Sequence, residues 1–424
     1  ILDSLANFGG GVSAYAHVNN ESNPFLFYVK PGTPNNTDVY FDYEITCDGE
    51  YSFHGTFYIK TQRGIEISGI IREDRTLTND YLYIVTGNVL VDTGVTLTIE
   101  PGTRLQFDPG WYLRIDGCLV AIGTENSMIV FTSNEQNPAP GDWAGIRFTD
   151  SSVDAEFDAD GNYVSGSIIK YAEIELGSGI IVGSEGGATC SPYIAYNYIH
   201  DNKSDIPSWG GGGICLWDSP ARIEHNLIQG NGAYNNGGGI YMEESNAIIA
   251  CNTIEGNWAE NLQGGGIYVR GGNPIIIQNV IRGNYAHYTM GGGGIYIAGI
   301  DGPTSPNITY NQIYNNYLDL FGIPREGPGG GVAFGYKITA EFTNNTLISN
   351  RDGLSVTNGI SPTVTYNNIL SNRHTTNEYN IHMLRGSSNI NAQSNYWGTT
   401  NTDSIDAWIW DYYDDFDLGK VIYQ

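Results

Sequence analysis

A repeated motif of paired asparagines and triple glycines constrains the second half of this chain more than any other feature. From about residue 168, an apolar triplet is followed by Asn-x-Ile-x-x-Asn, a variable loop and Gly-Gly-Gly-Ile-Tyr. Ala172 takes the first rung, and the first Asn of the motif then recurs at an average spacing of about 28 residues. It occurs as Asn197, Asn226, Asn252, Asn279, Asn311, Asn345, Asn367 and Asn395. Such a period indicates a repeat protein.

Each repeat predicts three short β-strands. Triple glycines would break a helical repeat, whereas pieces such as Ile223-Glu224-His225 and Ile240-Tyr241-Met242 alternate inward and outward side chains. The predicted fold class is all-β: a parallel β-helix whose coils stack about 4.8 Å apart. The recurring Asn predicts a structural ladder inside one turn, where stacked amides bond to each other and to the backbone.

Residues 81–424 resemble the secreted right-handed parallel β-helix repeat proteins of bacteria and archaea. Besides the repeats, the resemblance rests on the opening segment YIVTGNVLVDTGVTLTIEPGTRLQFDPGWYLRIDGCLVAIGT and the closing segment NYWGTTNTDSIDAWIWDYYDDFDLGKVIY. That scaffold carries lyases, hydrolases, adhesins and structural proteins, so the resemblance implies the fold and leaves the function open. A C-terminal cap is expected at about 396–424, beginning with a short helix N-capped by Thr402, Asp403 or Ser404.

Residues 1–64 predict a separate small β domain, followed by a linker at 65–80. Alternating runs occur at Phe25–Lys30, Asp38–Thr46 and Tyr51–Lys60, and they resemble part of an immunoglobulin-like module. A sandwich of that kind has about seven strands, whereas three or four are recognisable here. We therefore expect strands from a partner chain, an upstream part removed by processing, or a small sheet docked on the β-helix.

The charge and the cysteines exclude several classes of protein. With 46 acidic and 19 basic residues the net charge is −27, so neither nucleic acid nor an anionic membrane is an expected partner. No apolar run approaches the roughly 18 residues of a membrane span. Five cysteines without Cys-x-x-Cys spacing predict mostly buried small apolar residues. The composition suits an extracellular protein.

An outward column after each Gly-Gly-Gly-Ile predicts an exposed aromatic face. Its residues, with the aromatic residues of the preceding loops, are Cys215, Trp217, Tyr241, Tyr268, Tyr296, Ala333, Ser355 and His382, and Trp209, Tyr234, Trp258, Tyr285, Tyr288, Tyr317 and Phe321. An aromatic strip of this kind is typical of a surface that stacks sugar rings, of an interface with another protein, or of rings that only stack on each other from coil to coil. The sequence leaves these three interpretations open.

A second outward column contains the catalytic candidates. An acid, a base and an arginine, as in Glu255, His200 and Arg282, are what a polysaccharide lyase needs to remove a proton and stabilise the anion. Mixed charges on a sheet face are also typical of solvated ion pairs. The Gly-His-Gly and Arg-Ile-Lys signatures of the pectin hydrolases are absent from the sequence.

An acidic segment supplies the metal candidate. Asp158, Asp160 and Asn162 place oxygen ligands at alternate positions, a pattern that suits a calcium loop but equally a solvated acidic loop.

The sequence thus favours an extracellular structural or adhesive protein that assembles with itself and has no required cofactor, with calcium as an option. The alternatives are a secreted polysaccharide lyase or glycoside hydrolase and a non-catalytic binder of cell-surface or matrix glycans.

Overall fold

The computed structural model of the chain describes residues 37–47, 51–61, 63–184, 187, 189–204, 210–287, 291–299, 304–320, 323–325, 329–357, 360–372, 378–384 and 386–424. Two units, residues 1–64 and 65–424, are distinguished by their internal contacts. Strands dominate the described part of both units. In the described part of the chain the one helix is Thr402–Asp406, and no helix has the length and apolarity to cross a membrane.

The first unit contains an antiparallel hairpin formed by Thr37–Cys47 and Tyr51–Thr61. Its register places Tyr40 opposite Tyr58 and Phe41 opposite Phe57. The predicted run Phe25–Lys30 lies outside the described residues. The immunoglobulin-like assignment therefore stays a prediction.

The second unit is the parallel β-helix that the repeat predicts. In one coil, Arg222–Glu224, Leu227–Gln229 and Ile240–Glu243 are the three main strands, and each pairs in parallel with the matching strand of the next coil. The inward side chains of Ile223 and Ile228 are fully buried. Burying such a side chain stabilises the fold by about 1.5–3 kcal/mol, so the stacked aliphatic columns form one continuous core.

The first long sheet, here called the ladder sheet, follows the first Asn of each repeat. It contains the first part of Tyr81–Val91 and then Arg104–Phe107, Ile129–Ser133, Ala172–Glu175, Tyr198–His200, Leu227–Gln229, Thr253–Glu255, Val280–Arg282, Gln312–Tyr314, Thr346–Ile348 and Asn368–Leu370.

The second, the glycine sheet, follows the triple glycines. It contains the last part of Tyr81–Val91 and then Leu113–Ile115, Ile146–Phe148, Ile180–Val182, Ile214–Trp217, Ile240–Glu243, Ile267–Arg270, Ile295–Ala298, Val332–Phe334, Leu354–Val356, Ile381–Met383 and Ile409–Trp410.

The third, the triplet sheet, contains the apolar triplets. Its strands are Arg75–Leu77, Thr96–Ile99, Cys118–Ile122, Ile168–Lys170, Tyr193–Ala195, Arg222–Glu224, Ile248–Ala250, Ile275–Ile277, Asn307–Thr309, Glu341–Thr343, Thr363–Thr365, Ile390–Asn391 and Val421–Ile422.

A small fourth sheet, which the sequence analysis did not predict, follows the second Asn of the middle repeats. Its strands are Lys203–Ser204, Gly232–Ala233, Trp258–Ala259, Tyr285–Ala286, Tyr317–Leu320 and Ile323–Arg325. Outside these sheets, Glu156–Phe157 and Tyr163–Ser165 form a short hairpin.

The linker expected at 65–80 is wrong. Arg63–Ile71 pairs with Tyr81–Val91, and Arg75–Leu77 pairs with Thr96–Ile99. Leu77 is almost fully buried in the core. Arg63–Ile71 buries Ile67 and Ile71, and Arg75–Leu77 buries Leu77 alone. So few inward apolar residues are too short a pattern to predict a strand from the sequence.

The C-terminal segment continues the coils as well as ending them. Ile409 pairs opposite Ile381 and Val421 opposite Ile390, so the tail adds strands to two sheets. The short helix forms as expected, but its N-cap is Asn401, whose side chain accepts a hydrogen bond from Ser404 N at 3.0 Å. The assignment of Thr402, Asp403 or Ser404 as the cap is therefore wrong.

The predicted Asn ladder runs from Ala172 to Asn395 through buried hydrogen bonds. Asn252 is representative: its Oδ1 accepts from the backbone N and the Nδ2 of Asn226, at 2.9 and 3.0 Å. Its Nδ2 donates to the Ile223 carbonyl at 2.8 Å and to Asn279 Oδ1 at 3.0 Å. Each amide therefore satisfies groups of three successive coils.

A second ladder lies five residues further on, at the other Asn of the motif. It begins at the amide of Gly177 and repeats the same bonding through Asn202, Asn231, Asn257, Asn284, Asn316, Asn350, Asn372 and Asn380. The sequence analysis assigned one ladder per coil, although the motif contained both asparagines. Together the two ladders hold both ends of the ladder-sheet strands.

Each glycine of a triplet is required by the close approach of coils, as Gly237-Gly238-Gly239 shows. Gly237 has φ +68°, which favours glycine. A Cβ on Gly238 would overlap the Trp258 carbonyl, and one on Gly239 would lie 2.6 Å from the Gly266 carbonyl oxygen. The chain contains 56 glycines among 424 residues, and those of the triplets are there because the close packing of the coils requires them.

The aromatic column beside these glycines is buried, contrary to expectation. Trp217, Tyr241, Tyr268 and Tyr296 are only 4–7% exposed, and successive tyrosine rings stack at 5.3 and 5.4 Å. Loop glycines lie directly against the rings, so a Cβ at Gly210 would overlap Tyr241. Sequence alternation correctly pointed these side chains away from the main core, but could not show that the loops fold over them.

Replacing Asn252 by Ala should lower the free energy of unfolding by about 3 kcal/mol or more, because several buried polar groups lose their partners. Urea unfolding followed by circular dichroism measures this. The matched control is Asn261→Ala. Asn261 is exposed, and its side chain donates one hydrogen bond, to the Tyr234 carbonyl. Equal midpoints for the two variants would contradict a structural role of the ladder.

Replacing Tyr268 by Ala should destabilise the protein by about 3 kcal/mol through the cavity it leaves. Tyr366→Ala is the control, because Tyr366 is 67% exposed and such surface changes alter stability by about 0.5 kcal/mol or less. Thermal unfolding of both variants measures the difference. An unchanged melting temperature for Tyr268→Ala would show that the column is not packed.

Candidate functional site

The turn before the first ladder presents an unusual set of side chains. The residue preceding each ladder rung has φ between 52° and 61°, in the left-handed region. These residues are Tyr171, Tyr196, His225, Cys251, Gln278, Tyr310, Asn344, Tyr366 and Ser394. A bulky residue in this conformation is rare and costs about 1–3 kcal/mol, so four tyrosines here require an explanation.

The turn before the second ladder shows what the same geometry normally selects. Its left-handed residues are Leu176, Asp201, Gly230, Gly256, Gly283, Asn315, Ser349 and Ser371. Seven of these eight are Gly, Asn, Asp or Ser, the residue types that turns prefer. The turn geometry therefore does not demand aromatic side chains, and the tyrosines of the first turn serve another purpose.

Three neighbouring aromatic side chains of the first turn, here called the tyrosine ledge, are Tyr171, Tyr196 and His225; the first pair of rings is tilted by 30° and the second pair is stacked. The rings of Tyr171 and Tyr196 lie 5.2 Å apart, and those of Tyr196 and His225 lie 4.7 Å apart with an interplanar angle of 12°. Tyr196 and His225 are exposed. Lys170 Nζ lies 5.3 and 5.1 Å from the two tyrosine ring centroids. The ledge is thus an accessible aromatic platform, one ring per coil.

The ledge forms one wall of a shallow cavity of about 410 Å³. Its lining combines aromatic, apolar and hydrogen-bonding side chains: Glu125, Met128, Tyr171, Tyr196, Asn197, Tyr198, His225 and Leu227. Aromatic walls with a few polar groups are typical of small-molecule and sugar sites. We refer to this cavity as the groove.

The three catalytic candidates do not form one cluster. Arg282 pairs with Glu255, with Nη2 and Oε2 2.6 Å apart, and its Nη1 donates to the Tyr314 hydroxyl. His200 lies two strands away from Glu255, with the Gln229 strand between them. The Arg282–Glu255 pair matches the surface-ion-pair interpretation of this column.

His200 instead lies among carboxylates of its own coil and the preceding one. Its Nδ1 is 2.8 Å from Asp201 Oδ2, and its Nε2 is 3.2 Å from Glu173 Oε1 and 3.7 Å from Glu175 Oε2. The Tyr198 ring stacks on the imidazole at 3.8 Å. Because Tyr198 also lines the groove, this cluster adjoins it.

The acidic segment proposed for calcium forms the loop of the short hairpin. Asp158 Oδ1 accepts from the amides of Asp160 and Asn162, at 3.0 and 2.8 Å, and the Asn162 side-chain amide lies 3.1 Å from Oδ2. The hydrogen bond from Asn162 is the main reason that the pKa of Asp158 lies below its usual value. Asp158 thus stabilises its own turn, and calcium binding here stays a prediction.

Ser355, His382 and Asp352 come together near the end of the glycine sheet. His382 Nδ1 is 3.0 Å from Asp352 Oδ2, and burial raises the pKa of Asp352 despite this contact. Ser355 is fully buried, and a Cβ on Gly329 would overlap its Oγ. A nucleophile enclosed in this way is inaccessible to substrate, so we interpret the group as structural.

Of the predicted aromatic face, the described loop residues keep some exposure. Tyr234 is 39% exposed. Trp258, Tyr285 and Tyr317 are half-buried on the small sheet, where the rings of Trp258 and Tyr285 stack at 6.4 Å. The loop residues Trp209, Tyr288 and Phe321 lie outside the described residues. The tyrosine ledge was not among the predicted sites, although tyrosine precedes the rung at 172, 197, 311 and 367.

Comparison with known proteins agrees with the architecture. A family model described as a right handed beta helix region matches residues 141–299 and 239–397, and one described as a pectate-lyase like beta helix domain matches residues 69–162. Protein bark beetle of Drosophila melanogaster is 37% identical over 95 residues, which are 21% of this chain and 3% of that protein. No solved structure matches.

The right-handed β-helix model covers more than half of the chain, and the strands it matches are the parallel coils described above. The chain therefore belongs to the right-handed parallel β-helix proteins, with β-helix domains of the pectate-lyase-like kind.

Proposed function

We propose that this protein binds a neutral polysaccharide along the tyrosine ledge and in the adjoining groove. The observation that carries the proposal is the stacked, exposed aromatic surface at a turn whose geometry disfavours aromatic residues. A conformational penalty retained at several positions points to a functional benefit. The pectate-lyase-like family model is consistent with a carbohydrate ligand.

The chemistry of the groove suits a sugar. Aromatic faces stack against the C–H-rich faces of pyranose rings, while tyrosine and histidine retain a polar edge for hydroxyl groups. The Glu125 carboxylate and the Tyr198 hydroxyl add polar groups on the same lining, whereas the amide of Asn197 is already paired within the ladder. A chain of sugar rings running along the β-helix would meet successive aromatic rings, which favours a polymer over a single monosaccharide.

Electrostatics favour a neutral ligand. The net charge of −27 repels polyanions, and the groove lining contributes Glu125. Lys170 lies over the rings of Tyr171 and Tyr196, which places a cation beside the ledge. A single such charge does not offset the field of the whole molecule. We therefore expect neutral glucans, xylans or mannans to bind better than pectate or alginate.

Replacing Tyr196 by Ala should weaken binding of the best-retained neutral polysaccharide about tenfold, since an aromatic platform contributes about 1 kcal/mol or more. Affinity electrophoresis over a polysaccharide panel identifies the ligand, and calorimetry with its oligosaccharides measures the affinity. Tyr366→Ala is the control, because Tyr366 occupies the same left-handed position beside non-aromatic neighbours. Equal affinity for both variants would rule out the ledge as the platform.

A second candidate function is self-association through the first unit. The hairpin of residues 37–61 carries aromatic residues on both faces: Tyr40 and Tyr58 are 66% and 58% exposed, and Phe53 and Phe57 are 46% and 41% exposed. Exposed apolar residues clustered in this way mark interaction surfaces. A second copy of the chain is the partner we propose, as in the strand-sharing hypothesis.

Replacing both Tyr40 and Tyr58 by Lys should shift the sedimentation coefficient of concentrated protein to that of the monomer. Because each copy is strongly acidic, raising the salt concentration should strengthen association of the unmodified protein by screening repulsion. Paired Lys substitutions at Tyr412 and Tyr413, two tyrosines of the C-terminal segment, provide the control. A monomer at every concentration and salt level would exclude this candidate.

A further inference from the structure

We propose that Glu173, Glu175 and His200 bind a zinc ion on the outer face of the ladder sheet. Glu173 and Glu175 are alternate residues of the strand Ala172–Glu175, so both side chains point outward. His200 lies directly opposite Glu175 on the next strand. This proposal is independent of glycan binding, since it concerns a separate set of side chains and a different ligand.

The spacing of the three ligand atoms suits tetrahedral coordination. Zn–N and Zn–O bonds of about 2.0–2.2 Å place neighbouring ligand atoms roughly 3.4 Å apart. His200 Nε2 lies 3.2 Å from Glu173 Oε1 and 3.7 Å from Glu175 Oε2. Within the described ranges, this is the one group of three His, Cys, Asp or Glu ligand atoms that all lie within 4.8 Å of each other.

The surroundings of His200 place both of its ring nitrogens beside carboxylates. Nδ1 lies 2.8 Å from Asp201 Oδ2, while Nε2 faces Glu173 Oε1 and Glu175 Oε2. A divalent ion bound at Nε2 would contact both of these oxygens, and Asp201 would support the imidazole from its other side.

Further contacts hold these ligands in place. Asp201 occupies the left-handed position of the second turn, with φ 49°, which brings its carboxylate beside the imidazole. Thr132 donates to Glu175 Oε1 at 2.8 Å and leaves Oε2 facing His200. The His200 side chain is only 9% exposed. Histidine ligands of metals usually donate the N–H of their other ring nitrogen to a carboxylate, and Asp201 lies at the corresponding position beside Nδ1.

Histidine and carboxylate ligands select zinc over calcium, which prefers a shell of oxygen atoms only. Three protein ligands leave one position of a tetrahedral ion for water or a substrate oxygen, as in catalytic zinc sites. The negative field of the chain raises the local concentration of cations. The predicted site is therefore an open zinc site next to the groove.

Zinc chloride titrated into the chelator-treated full chain should show one tight site, measured by competition with a chromophoric chelator. His200→Gln should weaken zinc binding at least a hundredfold. Asp201→Asn should weaken it about tenfold, since losing a hydrogen-bond partner of a metal-binding side chain lowers metal affinity about 10–100-fold. His54→Gln removes an exposed histidine of the hairpin in the first unit and should leave the affinity unchanged. Circular dichroism establishes that each variant keeps its fold.

Four results would overturn the proposal. The first is wild-type protein that binds no zinc, and the second is equal affinity in wild type and His200→Gln. The third is X-ray absorption of the zinc-loaded protein that shows a sulfur ligand instead of one nitrogen and two carboxylates. Glu175→Gln is the second ligand variant, and retention of wild-type affinity there would also contradict the site. Excess calcium should leave the zinc bound.

Discussion

The stacked asparagine amides are the interaction on which the rest of this structure depends. A buried amide has two donors and an acceptor that must all be paired, and here each is paired with a neighbouring coil. This requirement fixes where every coil turns. Two ladders five residues apart therefore define both ends of each ladder-sheet strand and set the alignment of all coils.

The geometry of these turns determines which side chains are accessible. The backbone before each rung is left-handed, which directs the side chain of that residue outward and stacks it above its counterpart in the next coil. At the second turn all residues but Leu176 are Gly, Asn, Asp or Ser, whereas at the first turn the chain places Tyr171, Tyr196 and His225. The candidate groove is thus a consequence of ladder geometry combined with a particular choice of residues.

The glycine triplets determine what is not accessible. They let neighbouring coils approach so closely that a Cβ has no space, and Tyr241, Tyr268 and Tyr296 are buried beside them. Two aromatic columns of similar appearance in sequence consequently have opposite roles. One is packed beneath loops and stabilises the glycine sheet, and the other lines the groove.

The repeat alone determined the parallel β-helix, the position of the first ladder and the outward direction of the aromatic and charged columns, because strand alternation and Asn periodicity are local. Only the tertiary structure decided which outward residues are exposed, since that depends on loops of variable length folding over the sheet. It also decided how the side chains around His200 meet. The rungs at 172 and 197 align Glu175 with His200, but the contacts of the imidazole with Glu173, Glu175 and Asp201 depend on side-chain conformations that the repeat does not specify.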